Sequence, residues 1–186
     1  DECIHECKVS EKMANVMKAF KYVFVLASST DIERLASIKN ASSEAKKTLY
    51  VCSNFMASTM KFFTERESSL SRGLFNFSPR MLRLNGLDRI KKKGFVLIAG
   101  TSQISRVKKL LKELPIEETL LIYSSWEGYY TIPEQIAANP GYKNFRELFY
   151  NIVDIHTSGH ADKTTIKKVM ETINSKEVIV IHKEGY

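Results

Sequence analysis

Six short apolar runs, each set off by capping or turn residues and alternating with stretches of helical spacing, limit what this 186-residue chain can fold into. The runs are Tyr22–Leu26, Thr48–Cys52, Phe95–Ala99, Thr119–Tyr123, Ile152–Ile155 and Val178–Ile181. They are continuous rather than alternating, as strands covered on both faces must be. Between them, apolar residues recur at three- and four-residue intervals over 3–20, 32–38, 55–63, 104–114, 145–150 and 164–173, which predicts helices. Strand and helix in alternation with short links predict an α/β fold, with mostly parallel sheet and helices on both faces. The stretch 66–90 has no clear period and is broken by Gly73, Pro79 and Gly86; Phe75 and Phe77 mark it as an ordered excursion.

In such sheets ligands gather at the carboxyl ends of the strands. Four of the predicted strands end in small, polar or histidine-bearing segments: Ser28-Ser29-Thr30-Asp31, Gly100-Thr101-Ser102, Ser124-Ser125-Trp126 and His156-Thr157-Ser158-Gly159-His160. A fifth ends in His182. The histidine segment is the densest. His156, Ser158 and the backbone N–H groups of the helix start after it suit a phosphate. His160 suits a general acid, because an imidazole of ordinary pKa near 6.5 donates a proton at neutral pH. The same residues also suit a capped helix with locally bonded histidines. Gly100-Thr101-Ser102-Gln103 has one glycine and lacks the G-x-x-x-x-G-K-[ST] spacing, so capping explains it equally well.

The net charge of +7 and the sequence pI of 9.2 favour a polyanionic partner. Lys91-Lys92-Lys93, Arg106, Lys108, Lys109 and Lys112 form one basic cluster and Lys163, Lys167 and Lys168 another. Solvated helix faces are the ordinary meaning of such spacing; facing a shared cleft, they would contact phosphates. Trp126, Tyr129 and Tyr130 offer stacking surface for bases, with core packing expected for at least two of them. Cys3, Cys7 and Cys52 are too few for a disulfide framework, so a reducing, cytoplasmic setting is expected. Cys3 and Cys7 read as one helix face rather than a zinc site. No apolar run approaches the length of a membrane span and no signal peptide is visible, so a membrane is not expected as a partner. The chain begins at Asp1 without methionine and stops just past an apolar strand, which suggests a piece of a larger protein.

The order of four segments resembles the β-CASP group of metallo-β-lactamase-fold nucleases, which includes ribonuclease J. These segments are Tyr22–Leu26 with Ser28-Ser29-Thr30; Leu121–Tyr129; His156-Thr-Ser-Gly-His-Ala-Asp162; and Val178-Ile-Val-Ile-His182 with Lys183 and Glu184. The resemblance spans nearly the whole chain. It implies a Rossmann-like cassette over residues 34–150, inserted between metallo-β-lactamase-domain pieces at 1–33 and 151–186, and closing over RNA or other single-stranded nucleic acid. It implies that His160 protonates the leaving group and that His182 ligates one of two zinc ions. It also implies that His156 and Ser158 hold a phosphate of the bound nucleotide; Gly159, Ser28, Ser29, Thr30 and Trp126 are further candidate contacts to the nucleic acid.

Two departures stand out. The acidic residue that the family places just before serine-threonine is Ser28 here, so Asp31 is the substitute expected to orient His160. The H-x-H-x-D-H metal segment is absent from the chain. The resemblance therefore implies a zinc-dependent nuclease parent, with the missing metallo-β-lactamase half as a partner, and a fragment inactive and without stable zinc by itself. The alternative is a non-catalytic Rossmann-like module that binds a nucleotide or nucleic acid.

Overall fold

The structure, a computed structural model, describes residues 5–69, 71, 73–83, 87–158, 163–174, 176–177 and 179. The larger of two compact units runs from His5 to Thr157. In chain order it contains α1 (Glu6–Ala19), β1 (Tyr22–Leu26), α2 (Ile32–Glu44), β2 (Leu49–Val51), α3 (Asn54–Glu65), β3 (Arg80–Met81), α4 (Leu87–Lys93), β4 (Phe95–Ala99), α5 (Ile104–Leu111), β5 (Thr119–Tyr123), α6 (Gly128–Thr131), α7 (Pro133–Ala138), α8 (Pro140–Arg146) and β6 (Ile152–Asp154). In the other unit, α9 (Lys163–Ile173) is the described element.

All six strands form one parallel sheet in the order β3-β2-β4-β1-β5-β6. The expected α/β class with parallel sheet and flanking helices is what is found. Side chains of alternate parity leave the two faces of each strand. Val23, Val25, Val96, Ile98, Leu120 and Ile122 pack under α1, α2 and α3 through Met13, Met17, Leu35, Ile38 and Met60. Phe24, Leu26, Phe95, Leu97, Leu121 and Tyr123 pack under α5 and α8 through Val107, Leu110 and Phe145. Every residue of β1, β4 and β5 is buried, which accounts for their unbroken apolar runs. Each fully buried Leu, Val or Phe contributes about 1.5–3 kcal/mol. Among the described residues, no helix is long and apolar enough to cross a membrane.

The outcome departs from expectation in two places. The irregular stretch 66–90 contains the two-residue edge strand β3 and the helix α4. The helix expected over 145–150 lies at Pro140–Arg146, because Pro140 supplies a first-turn residue with no N–H to satisfy. The expected strand 178–181 falls largely outside the described residues.

Gly94, at the turn into β4, has φ +70, and a Cβ there would lie 2.4 Å from the Lys21 carbonyl oxygen. The neighbour is backbone and fixed by Phe95 N–H, which donates to that carbonyl at 3.1 Å. Gly94→Ala is expected to cost on the order of 2 kcal/mol, read as a lowered denaturation midpoint with an unchanged m-value.

Candidate functional site

The strand order creates a switch point. The chain leaves β1 through α2 on one face, whereas it leaves the adjacent β4 through α5 on the other. Loops that diverge from neighbouring strands open a crevice at the carboxyl edge. A cleft of about 420 Å³ lies there, lined by Leu26–Ser29 after β1, Ser53, Phe55 and Met56 after β2, Gly100–Gln103 after β4, and Tyr142. Among the described residues, no charged side chain lines it; hydroxyls of Ser28, Ser29, Ser53, Thr101, Ser102 and Tyr142 do.

Each loop is held by local bonds. Ser28 Oγ lies 2.8 Å from Thr30 Oγ1 and accepts from Thr30 N–H at 3.2 Å. Ser53 caps α3 by accepting from Met56 N–H. Gln103 Oε1 accepts from Gly100 N–H at 2.8 Å, closing the 3₁₀ turn Thr101–Gln103 that leads into α5. The start of α3 therefore borders the cleft and presents the positive end of its dipole, a favourable place for an anion.

Farther along the same edge, a buried arginine gathers the ends of β5 and β6. Arg34, on α2, is 1% exposed. Its guanidinium donates to Glu6 Oε1 (2.7 Å from Nη2, 3.0 Å from Nε), Ser124 Oγ (2.5 Å), the Thr157 carbonyl (3.2 Å) and His156 Nδ1 (3.2 Å). Ser37 Oγ donates to Glu6 Oε2 at 2.7 Å. Among the described residues, no buried side-chain nitrogen or oxygen lacks a partner. A guanidinium has no acceptor, so Nδ1 must accept, and the proton of the neutral imidazole sits on Nε2. The site thus presents a neutral histidine as an N–H donor beyond the end of β6.

Burial and then the Arg34 charge hold the His156 pKa below the usual imidazole value, with Asp31 and Glu6 opposing in part. Burial alone would raise the Glu6 carboxyl; hydrogen bonds from Arg34 and Ser37 and the Arg34 charge outweigh it and lower its pKa. Both groups bind protons less readily folded than unfolded, so acid favours the unfolded chain. Stability is expected to begin falling as pH drops below about 6.5, where unfolded imidazole protonates. It falls further through the carboxylate range. Urea midpoints measured across that range check this: a flat profile between neutrality and pH 5 contradicts the His156 assignment.

Ser28, Ser29, Thr30, Asp31, Trp126, His156 and Ser158 are described; Gly159, His160 and His182 lie outside the described residues. Ser28 and Ser29 line the cleft, and Thr30 adjoins them. Asp31 caps α2, its Oδ1 accepting from Arg34 N–H at 3.1 Å. Trp126 is 40% exposed beyond β5 and edge-on to Tyr129 at 5.5 Å. Tyr129 stacks on the cleft residue Tyr142 at 4.2 Å and 14°. A Cβ on Gly128 would lie 2.5 Å from the Trp126 ring, so a glycine is needed beneath that indole. Tyr130 packs on Tyr123 and donates to Asp154 Oδ1, which Arg146 also holds.

Among the described residues of the larger unit, no lysine or arginine lines the cleft. Lys108, Lys109 and Lys112 are exposed, Lys91 pairs with Glu113, and Lys167 with Glu171. Arg106 donates to the carbonyls of Cys52 and Leu82, tying the end of β2 to the segment after β3. Among the described residues, no three His, Cys, Asp or Glu side chains are grouped to hold a metal ion.

Arg34 and Glu6 are the functional residues that the sequence reading missed. The signal was there: Arg34 shares a helix face with Ile38 and Ala41, both buried, and an arginine on an apolar stripe needs partners. No protein-family model matches this chain and no curated protein does, so the reading of this edge rests on its own geometry.

Proposed function

We propose that this chain is the nucleic-acid-holding part of a metal-dependent phosphodiester hydrolase of the β-CASP kind, and that its carboxyl edge binds single-stranded RNA or DNA. One observation carries the reading: neighbouring strands deliver hydroxyls, a helix start and a neutral histidine N–H to one edge, with no carboxylate among the described residues that line the cleft to repel phosphate. Trp126 and the exposed ring of Phe55 supply base-stacking surface beside it. Strands β4 to β6 span three inter-strand spacings, about 14 Å, which suits a ligand with several phosphates better than one. Two of the sequence segments that resemble the family, Tyr22–Leu26 with Ser28-Ser29-Thr30 and Leu121–Tyr129, end at this edge, and the same resemblance assigns leaving-group protonation to His160 and a zinc ligand to His182.

The sequence lacks the H-x-H-x-D-H metal segment, so in this reading the chain's own part is binding and orientation. Hydroxyls of Ser28, Ser29, Thr101 and Ser102 contact phosphate oxygens, and His156 Nε2–H donates to another. The purified chain is expected to leave labelled RNA uncut with added zinc; metal-dependent cleavage contradicts this assignment. Anisotropy of labelled single-stranded RNA over a salt series tests the binding. Affinity should fall steadily as salt rises, since each phosphate contact releases a counterion. Salt-insensitive binding of a single mononucleotide supports the other reading, a non-catalytic nucleotide module.

A further inference from the structure

The sheet's opposite edge carries a cavity that this function does not use. It has a volume of about 270 Å³ and lies where β2 and β3 begin, between the last turn of α2 and the segment 76–80. Strands β2 and β3 are parallel, so their first residues, Leu49 and Arg80, lie at the amino edge, away from the switch-point cleft. Met60 and Phe77 form its apolar floor, and Lys39, Lys47 and Arg80 stand in its walls with no carboxylate among the lining residues.

Cations at the end of a helix ordinarily have a plain purpose, to neutralise its last carbonyls. That purpose is filled by other groups here. The Ala41, Ser42 and Ser43 carbonyls accept from the N–H groups of Ala45, Lys47 and Lys46, and the hydroxyls of Ser42 and Ser43 both donate to the Lys39 carbonyl. The lysine ammonium groups go elsewhere, Lys39 to the Gly73 carbonyl at 3.4 Å and Lys47 to the Lys21 carbonyl at 3.3 Å. None of the three cations is in an ion pair among the described residues. Lys47 is half-buried; burial, with the Lys21 charge beside it, lowers its pKa. A partly desolvated ammonium with like charge nearby costs stability unless an anion completes it.

We propose that this cavity is a second binding site, one that takes a compact phosphate monoester between Lys39, Lys47 and Arg80. The phosphate meets the three cations, and the organic part of the ester lies on Met60 and Phe77. The volume, just under that of ordinary small-molecule pockets, sets the size limit. This proposal is independent of the strand-end site.

Amide chemical-shift titration of the whole chain with inorganic phosphate, then with ribose 5-phosphate, tests it. Saturable shifts confined to residues 47–49 and 76–80 are expected, with the ester the tighter ligand. Lys47→Met and Arg80→Gln should each weaken binding about tenfold, the worth of one charge-assisted hydrogen bond. Lys47→Met should match or exceed the parent's thermal midpoint in the absence of phosphate. Non-saturating shifts, affinity unchanged by both substitutions, or a Lys47→Met chain that melts lower than the parent would each overturn the proposal.

Discussion

Replacing Arg34 by methionine is expected to lower stability by about 3 kcal/mol, the low end for removing one partner of a buried ion pair. The low end applies because the Glu6 side chain is 28% exposed and water can reach it once the guanidinium is gone. In a domain of this size that corresponds to a thermal midpoint lower by about 6–12 °C. The loss has several parts: Ser124 and the Thr157 carbonyl lose a donor, and among the described residues the Glu6 carboxylate keeps only Ser37. Adding Glu6→Gln to Arg34→Met should therefore restore part of the loss, because the uncompensated charge is then removed. A second readout distinguishes positioning from plain support. Nitrogen-15 shifts of His156 should report a proton on Nε2 alone in the parent and a mixture of both ring tautomers once Arg34 no longer donates to Nδ1. An Arg34→Met chain with an unmoved midpoint contradicts the network.

Placing a carboxylate in the cleft should have the larger effect on binding. Ser102 is exposed and lies in the middle of the turn into α5, so Ser102→Asp puts a negative charge near a helix start and is expected to fold normally. The new charge faces the place assigned to phosphate. Like-charge juxtaposition of this kind costs about 2–3 kcal/mol, a loss of roughly 30- to 150-fold in affinity for single-stranded RNA. Anisotropy at fixed low salt measures it, with circular dichroism as the check on folding. A loss below about threefold with the fold intact places the nucleic acid elsewhere.

The sheet's centre was legible because its strands obey one strong constraint. Tyr22–Leu26, Phe95–Ala99 and Thr119–Tyr123 are buried on both faces, and their runs match the observed strands to the residue. β3 was not, because Arg80–Met81 is an edge strand of two residues, exposed and half-buried, whose pairing is set by β2 rather than by its own pattern. The three short helices after β5 were hidden for another reason. Pro133 and Pro140 each restart a helix, so no apolar period survives across 128–146.

The candidate site divides in the same way. Serine, threonine and glycine at strand ends are read directly, because the fold class places strand ends together. Glu6, Arg34, Ser37, Ser124 and His156 come from four separate elements or loops, and only tertiary packing joins them.

The central claim is that single-stranded nucleic acid lies along the carboxyl edge of the sheet, from the β1–β4 switch point to His156. Backbone amide shifts recorded while a short single-stranded oligoribonucleotide is added test it most directly. Saturable changes at 28–30, 53–55, 100–103 and 156–157 are the predicted result. Changes confined to the exposed basic face of α5, at Lys108, Lys109 and Lys112, with the strand-end loops unmoved, contradict it.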